Sequence, residues 1–161
     1  MKHNCTDYLL FPIVLFCILL LVSCGNKKIE SIPVADADVI RDYLDVKVMK
    51  PEFGGKVFSA HKIFHTDKRN IYLWAYMQEY YKKDEKLESG AGWSVPLVLF
   101  VDMSSGKLRI IGHIAPGDGD LYAKDVKQLF PDAVQKQILT FPTSDNARKL
   151  EGEALERAQK L

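Results

Sequence analysis

The chain of 161 residues sets 22 Lys and Arg against 21 Asp and Glu, a formal net charge of +1, and is 47% hydrophobic, enough for a globular core. Charge so balanced gives no single-sign field, and the basic pairs Lys27-Lys28 and Lys82-Lys83 are isolated or followed by acids, so no nucleic acid is expected as a partner. The cysteines, Cys5, Cys17 and Cys24, all fall in the opening stretch, so the rest of the chain must fold without disulfides or zinc-thiolate sites.

Residues 8–22 form an apolar run, shorter than the roughly 20 residues a membrane-spanning helix needs and the right size for the core of a signal peptide. It ends in Leu21-Val22-Ser23-Cys24, which resembles the lipobox of bacterial lipoprotein signal peptides: a leucine, small residues, then the cysteine that becomes the lipidated first residue. The resemblance covers only the start of the chain. It implies that residues 1–23 are removed, that Cys24 carries the lipid, and that the protein sits in the cell envelope anchored to a membrane. Gly25 after the cysteine implies the outer membrane if the cell has one. Residues 24–35 then read as a lipidated tether whose extended reach of roughly 40 Å keeps the domain near the bilayer.

Residues 36–50 predict a helix: Val39, Ile40, Tyr43 and Leu44 recur at helical spacing, Asp36 can cap the start and Pro51 ends it. Gly54-Gly55 breaks the pattern, residues 56–64 alternate as a strand, and residues 66–70 supply a polar turn. Residues 71–81 are the strongest strand. Ile71, Leu73, Ala75 and Met77 form an aliphatic face, while Tyr72, Trp74, Tyr76, Gln78 and Tyr80 make the other face aromatic. Residues 82–93 read as a long, mobile or functional connection through Ser89-Gly90-Ala91-Gly92. Residues 94–102 form the next strand, with Pro96 favouring an edge or a bulge, and a tight turn at residues 103–106 leads into an antiparallel strand over 107–114.

After Pro116-Gly117-Asp118-Gly119-Asp120 the chain reads as helices. Asp120 is expected to cap one carrying Val126, Leu129 and Phe130, and Pro131 to open another carrying Val134 and Ile138, broken at Phe141-Pro142. Ser144 or Asp145 starts the last, whose narrow stripe of Ala147, Leu150, Ala154 and Leu161 predicts loose docking. The expected fold is a single α+β domain over 36–161: an N-terminal helix, a four-stranded antiparallel β-meander and two to three C-terminal helices covering the aliphatic face.

Chemistry is sparse. His61 and His65 have the spacing that ligates one zinc on a helix, but four residues of strand separate them by roughly 13 Å, so no metal site is assigned. Gly92-Trp93-Ser94-Val95-Pro96 lacks the strand-serine-helix order and the last glycine of a hydrolase elbow. Gly90-Ala91-Gly92 lacks the third glycine of a dinucleotide loop, so no cofactor is expected. Asp118 and Asp120 lack the further ligands of a calcium loop. Glu79 with Asp102 or His113 makes an acid-base set only if the sheet brings them together, and no residue is assigned as catalytic.

The aromatic face carries two readings: a recognition surface, or a second core layer under a terminal helix. As a recognition surface it supplies Tyr72, Trp74, Tyr76 and Tyr80, joined by Trp93 from the adjoining connection. The expected function is a non-enzymatic binding or adaptor module for an envelope protein or glycan near the membrane, with an envelope hydrolase as the alternative.

Overall fold

The computed structural model describes residues 34–160, so Cys24, the expected lipobox, most of the expected tether and Leu161 lie outside the described residues. Among the described residues, β1 (Lys56–Thr66), β2 (Asn70–Lys83), β3 (Lys86–Asp102) and β4 (Arg109–Ile114) pair antiparallel in the order β1-β2-β3-β4. Helix α1 (Val34–Tyr43), continued by a wider π-type turn (Leu44–Val48), precedes the sheet, and α2 (Tyr122–Leu129), α3 (Asp132–Thr140) and α4 (Asp145–Ala158) follow it. This is the expected α+β meander.

Strand alternation divides the core into two layers. Ile71, Leu73, Ala75 and Met77 join Leu97, Leu99 and Val101 on one face and are closed by Ile40, Leu44 and Met49. On the other face Ala60, Tyr72, Trp74 and Val98 pack against Val126, Phe130, Val134, Ile138, Phe141 and Leu150. The C-terminal helices therefore cover the aromatic face, correcting the expectation that they lie on the aliphatic one. Because the α1 segment already closes the aliphatic face, their apolar stripes have only the aromatic face left to bury against.

The expected long connection over residues 82–93 is also corrected. Lys83 pairs with Lys86, leaving a two-residue turn of Asp84-Glu85 with φ of 49° and 63°, the left-handed pair a type I′ hairpin requires. The glutamate hides that turn, since Asn-Gly or Asp-Gly is its usual signature. The glycine-rich stretch sits inside β3 as a bulge: Gly92 pairs with Gln78 and Ser89 with Tyr80, so one extra β3 residue is accommodated.

Pro96 lies in an inner strand, opposite Trp74, yet its other side is unpaired because the β4 ladder ends at Ile114 opposite Val98. Extending that register would set Pro96 against Pro116, and neither can donate, so β4 stops there. The expected Asp120 cap is not formed. A short 3₁₀ turn (Gly119–Leu121) leads into α2 instead, and Asp125 Oδ2 accepts from the Gly117 N–H at 2.8 Å. Ser144 caps α4 by accepting from the Ala147 N–H at 3.3 Å.

Nor does α4 dock loosely. Leu150, Ala154 and Ala158 are buried, and Arg157 reaches round the β1 edge to donate to the Ser59 carbonyl (2.6 Å) and to Asp45 Oδ2 (2.7 Å) while lying 5.6 Å from the Phe58 ring centre. One side chain thus ties the helix on one face of the sheet to the π-type turn on the other.

Candidate functional site

Burial sorts the aromatic residues predicted as a site. Tyr72, Trp74 and Tyr80 are buried, Trp74 to 4% exposure, and Tyr76 is half-buried. The Trp74 Nε1–H donates to Ser94 Oγ at 2.9 Å, its ring lies 5.3 Å from Phe141, and Tyr72 lies 6.0 Å from Phe130. Burial, followed by the neighbouring Tyr80 and Glu151, pushes the Tyr76 hydroxyl up to about 12, so it stays protonated. The reading of this face as an open recognition surface is corrected: the alternation that made it aromatic also made it the layer that α2 to α4 bury.

Trp93 is different. It pairs with Met77, which points into the aliphatic layer, so Trp93 stands on the α1 side of the sheet, opposite to Trp74, and is 50% exposed. Two further aromatics belong to the same face near the hairpin end. Tyr81 follows Met77 and Glu79 at two-residue intervals along β2, and Phe53, 61% exposed, stacks on it with ring centres 6.0 Å apart and planes inclined by 17°.

Glu79 builds this corner. It is fully buried on a core-facing position, and its carboxylate accepts from the backbone N–H groups of Glu52 (2.8 Å), Phe53 (2.9 Å), Gly55 (2.8 Å) and Ala91 (3.4 Å). Burial alone raises its pKa, but the four donors together outweigh burial and hold the group below the usual carboxylate range. Two glycines make room. A side chain on Gly55 would drive into the Tyr80 carbonyl, and one on Gly90 would sit 2.7 Å from Glu79 Oε2 and 2.8 Å from the Phe53 ring. One carboxylate therefore fixes both the loop that carries Phe53 and the bulge that precedes Trp93. Both its oxygens are occupied, and what the corner presents to solvent is aromatic area.

Sequence reasoning missed Phe53, Tyr81 and the role of Glu79. The available signal was an acid two residues after Met77 on the aliphatic face, where a charge must find partners to be buried.

The other predicted groups remain apart. Glu79 lies eight residues along β2 from Ile71, the neighbour of the Leu99–His113 pair, which puts Glu79 and His113 about 26 Å apart along the sheet. His113 Nδ1 instead meets the Tyr43 hydroxyl at 3.0 Å, and Asp102 accepts from the Ser104 N–H and pairs with Arg109. A bulge at Phe64 turns His61 and His65 to opposite faces: His61 lies opposite Ala75 of the aliphatic layer, and His65 stacks on Tyr72. Among the described residues no three His, Cys, Asp or Glu side chains converge as a metal site, and no helix is long and apolar enough to cross a membrane.

The class defined so far is an α+β domain with a meander sheet covered on both faces and an aromatic corner at its hairpin end. No protein-family model, curated protein or solved structure matches the chain.

Proposed function

We propose that the protein is a lipid-anchored cell-envelope binding module that presents the corner of Phe53, Tyr81 and Trp93 to a protein or glycan near the membrane. The lipobox at Leu21 to Cys24 supports the anchor. The observation that carries the binding site is the contrast between the chain's two tryptophans: Trp74 is dry, whereas Trp93 is held half in water on a strand, with Phe53 fixed on the same face through Glu79. Rigid aromatics with a wet side supply contact area at low entropic cost, as recognition surfaces do.

The test uses the full chain in its own membrane. Intact-mass spectrometry is expected to find an acylated Cys24 at the mature start, and Cys24→Ser to abolish it. A photoreactive benzoylphenylalanine at position 53 is expected to give discrete adducts that are lost in Trp93→Ala, while the same group at Leu139, 76% exposed on α3, gives none. An unmodified Cys24 would falsify the anchor, and adducts from position 139 alone would remove the corner as the site.

A further inference from the structure

The hydrogen-bonding directions along β3 follow from its ladder. The Val101 N–H donates to the Arg69 carbonyl at 2.8 Å, on the β2 side, and the β2–β3 register runs unbroken from Asn70 opposite Phe100 to Gln78 opposite Gly92. Successive residues of a strand turn their backbone groups to opposite edges. Val101, Leu99, Leu97, Val95 and Trp93 therefore bond to β2, while Phe100, Val98, Pro96, Ser94 and Gly92 face away from it. Phe100 and Val98 meet β4 opposite Gly112 and Ile114. Past the end of β4 come Pro96, which has no N–H, then Ser94 and Gly92, both exposed. Among the described residues nothing bonds to the outward N–H and C=O groups of Ser94 and Gly92.

The opposite edge of the sheet is covered at its centre. Ser59 of β1 is 0% exposed, its outward carbonyl accepts from Arg157, its hydroxyl reaches the Arg41 carbonyl at 3.4 Å, and the bulge at Phe64 interrupts the edge further on. Closure and bulging are the usual defences of an edge strand, and β3 has neither between Pro96 and the bulge at Gly90-Ala91.

Resting on the reading of the aromatic corner as a binding site, we propose that its partner is an extended polypeptide segment that adds to the outer edge of β3, exchanging backbone hydrogen bonds with Gly92 and Ser94 beside Trp93. The two residues offer donor and acceptor pairs about 7 Å apart in the plane of the sheet, a spacing that another β-strand reproduces and a sugar ring does not. Trp93 and Val95, on the α1 face between and beside these groups, favour an apolar side chain on the incoming strand. Pro96 at one end and the bulge at the other confine the addition to a short segment and oppose open-ended stacking of copies.

The probe is a phage-displayed library of random dodecapeptides selected against the full chain in detergent micelles, followed by synthesis of the best binder. Saturation with that peptide is expected to slow amide exchange at Gly92 and Ser94 at least tenfold, while Trp93 and Val95, already bonded to β2, do not change. N-methylating the peptide one residue at a time should weaken binding tenfold or more at alternate positions only. Ser94→Pro, which removes an outward donor, should weaken it to a similar degree; if that variant fails to fold because the proline ring and its fixed φ strain β3, the exchange and N-methyl measurements on the native chain still decide. Peptides that bind through Trp93 but leave Gly92 and Ser94 exchanging freely overturn strand addition and leave the corner standing. Protection of those amides with binding indifferent to Trp93→Ala supports strand addition and removes the corner. A selection that returns no binder overturns strand addition, and a dimer in sedimentation that Ser94→Pro abolishes overturns it in favour of a second copy of this chain.

Discussion

Replacing Trp74 by alanine tests whether the C-terminal helices close on the aromatic face. The side chain is 4% exposed and touches a layer made of Tyr72, Phe141 and residues of α2 to α4. A tryptophan buries on the order of 200 Å², worth about 5 kcal/mol at 25 cal/mol per Å², an upper bound because the unfolded chain already hides part of that area. Truncations of buried Trp and Phe cost about 3–5 kcal/mol, so about 4 kcal/mol is expected here, a fall of roughly 10–15 °C in Tm. Its acceptor contributes much less. Ser94 is exposed, so in Ser94→Ala water can replace the lost partner and the cost is expected to stay near or below about 1 kcal/mol. Urea unfolding of the full chain in mild detergent, followed by circular dichroism, separates the two variants. Fluorescence offers an independent check, because the chain has 2 tryptophans: in Trp93→Phe the remaining Trp74 should emit at short wavelength and resist acrylamide quenching. A Trp74→Ala cost below about 1 kcal/mol with unchanged urea dependence, or a freely quenched Trp74, would refute the packing of α2 to α4 on this face.

Two further outcomes follow from the β1 edge. The His61 imidazole is pushed down to about 4 by burial, then by the Arg41 and Arg157 charges, and its Nδ1 has no partner among the described residues. The fold holds it neutral, so as pH falls the unfolded chain takes up the proton first, and stability is lost between about 6.5 and about 4 while staying flat above that window. The loss should not exceed about 3 kcal/mol, and His61→Leu should flatten it; an unchanged acid slope in that variant places the titration elsewhere. Arg157→Met keeps much of the stem but deserts Asp45 and the Ser59 carbonyl, with an expected cost of about 2 kcal/mol in urea unfolding. Adding Asp45→Asn should recover part of it by removing the stranded carboxylate, and strict additivity of the two changes would show that the clasp contributes nothing.

Much of the architecture was legible in the residues. Two-residue alternation marked the strands, helical spacing marked α1 through Ile40 and Leu44, and Pro131 and Ser144 marked the starts of α3 and α4. These signals are local: they depend on backbone geometry and on groups within a few positions of one another, so the chain displays them without its fold. Where the sequence misled, the deciding partner was distant. The alternation of β2 separated Tyr72 and Trp74 from Leu73 and Met77, but it could not say which helices would cover which face, since those that close the aromatic face begin some fifty residues later at Tyr122 and carry stripes that fit either face. Trp93 was read as the end of a connection beside the aromatic face, not as a strand residue on the other face, because the Gly90-Ala91 bulge resembles a loop until its pairing with Gln78 and Tyr80 is known. Glu79 was read only as a candidate partner for Asp102 or His113 because its four donors come from the backbone, which every residue possesses and no residue type announces. Periodicity states which side chains share a face. Only tertiary packing decides what lies against that face, because burial is a property of two surfaces and the sequence of either one describes only itself.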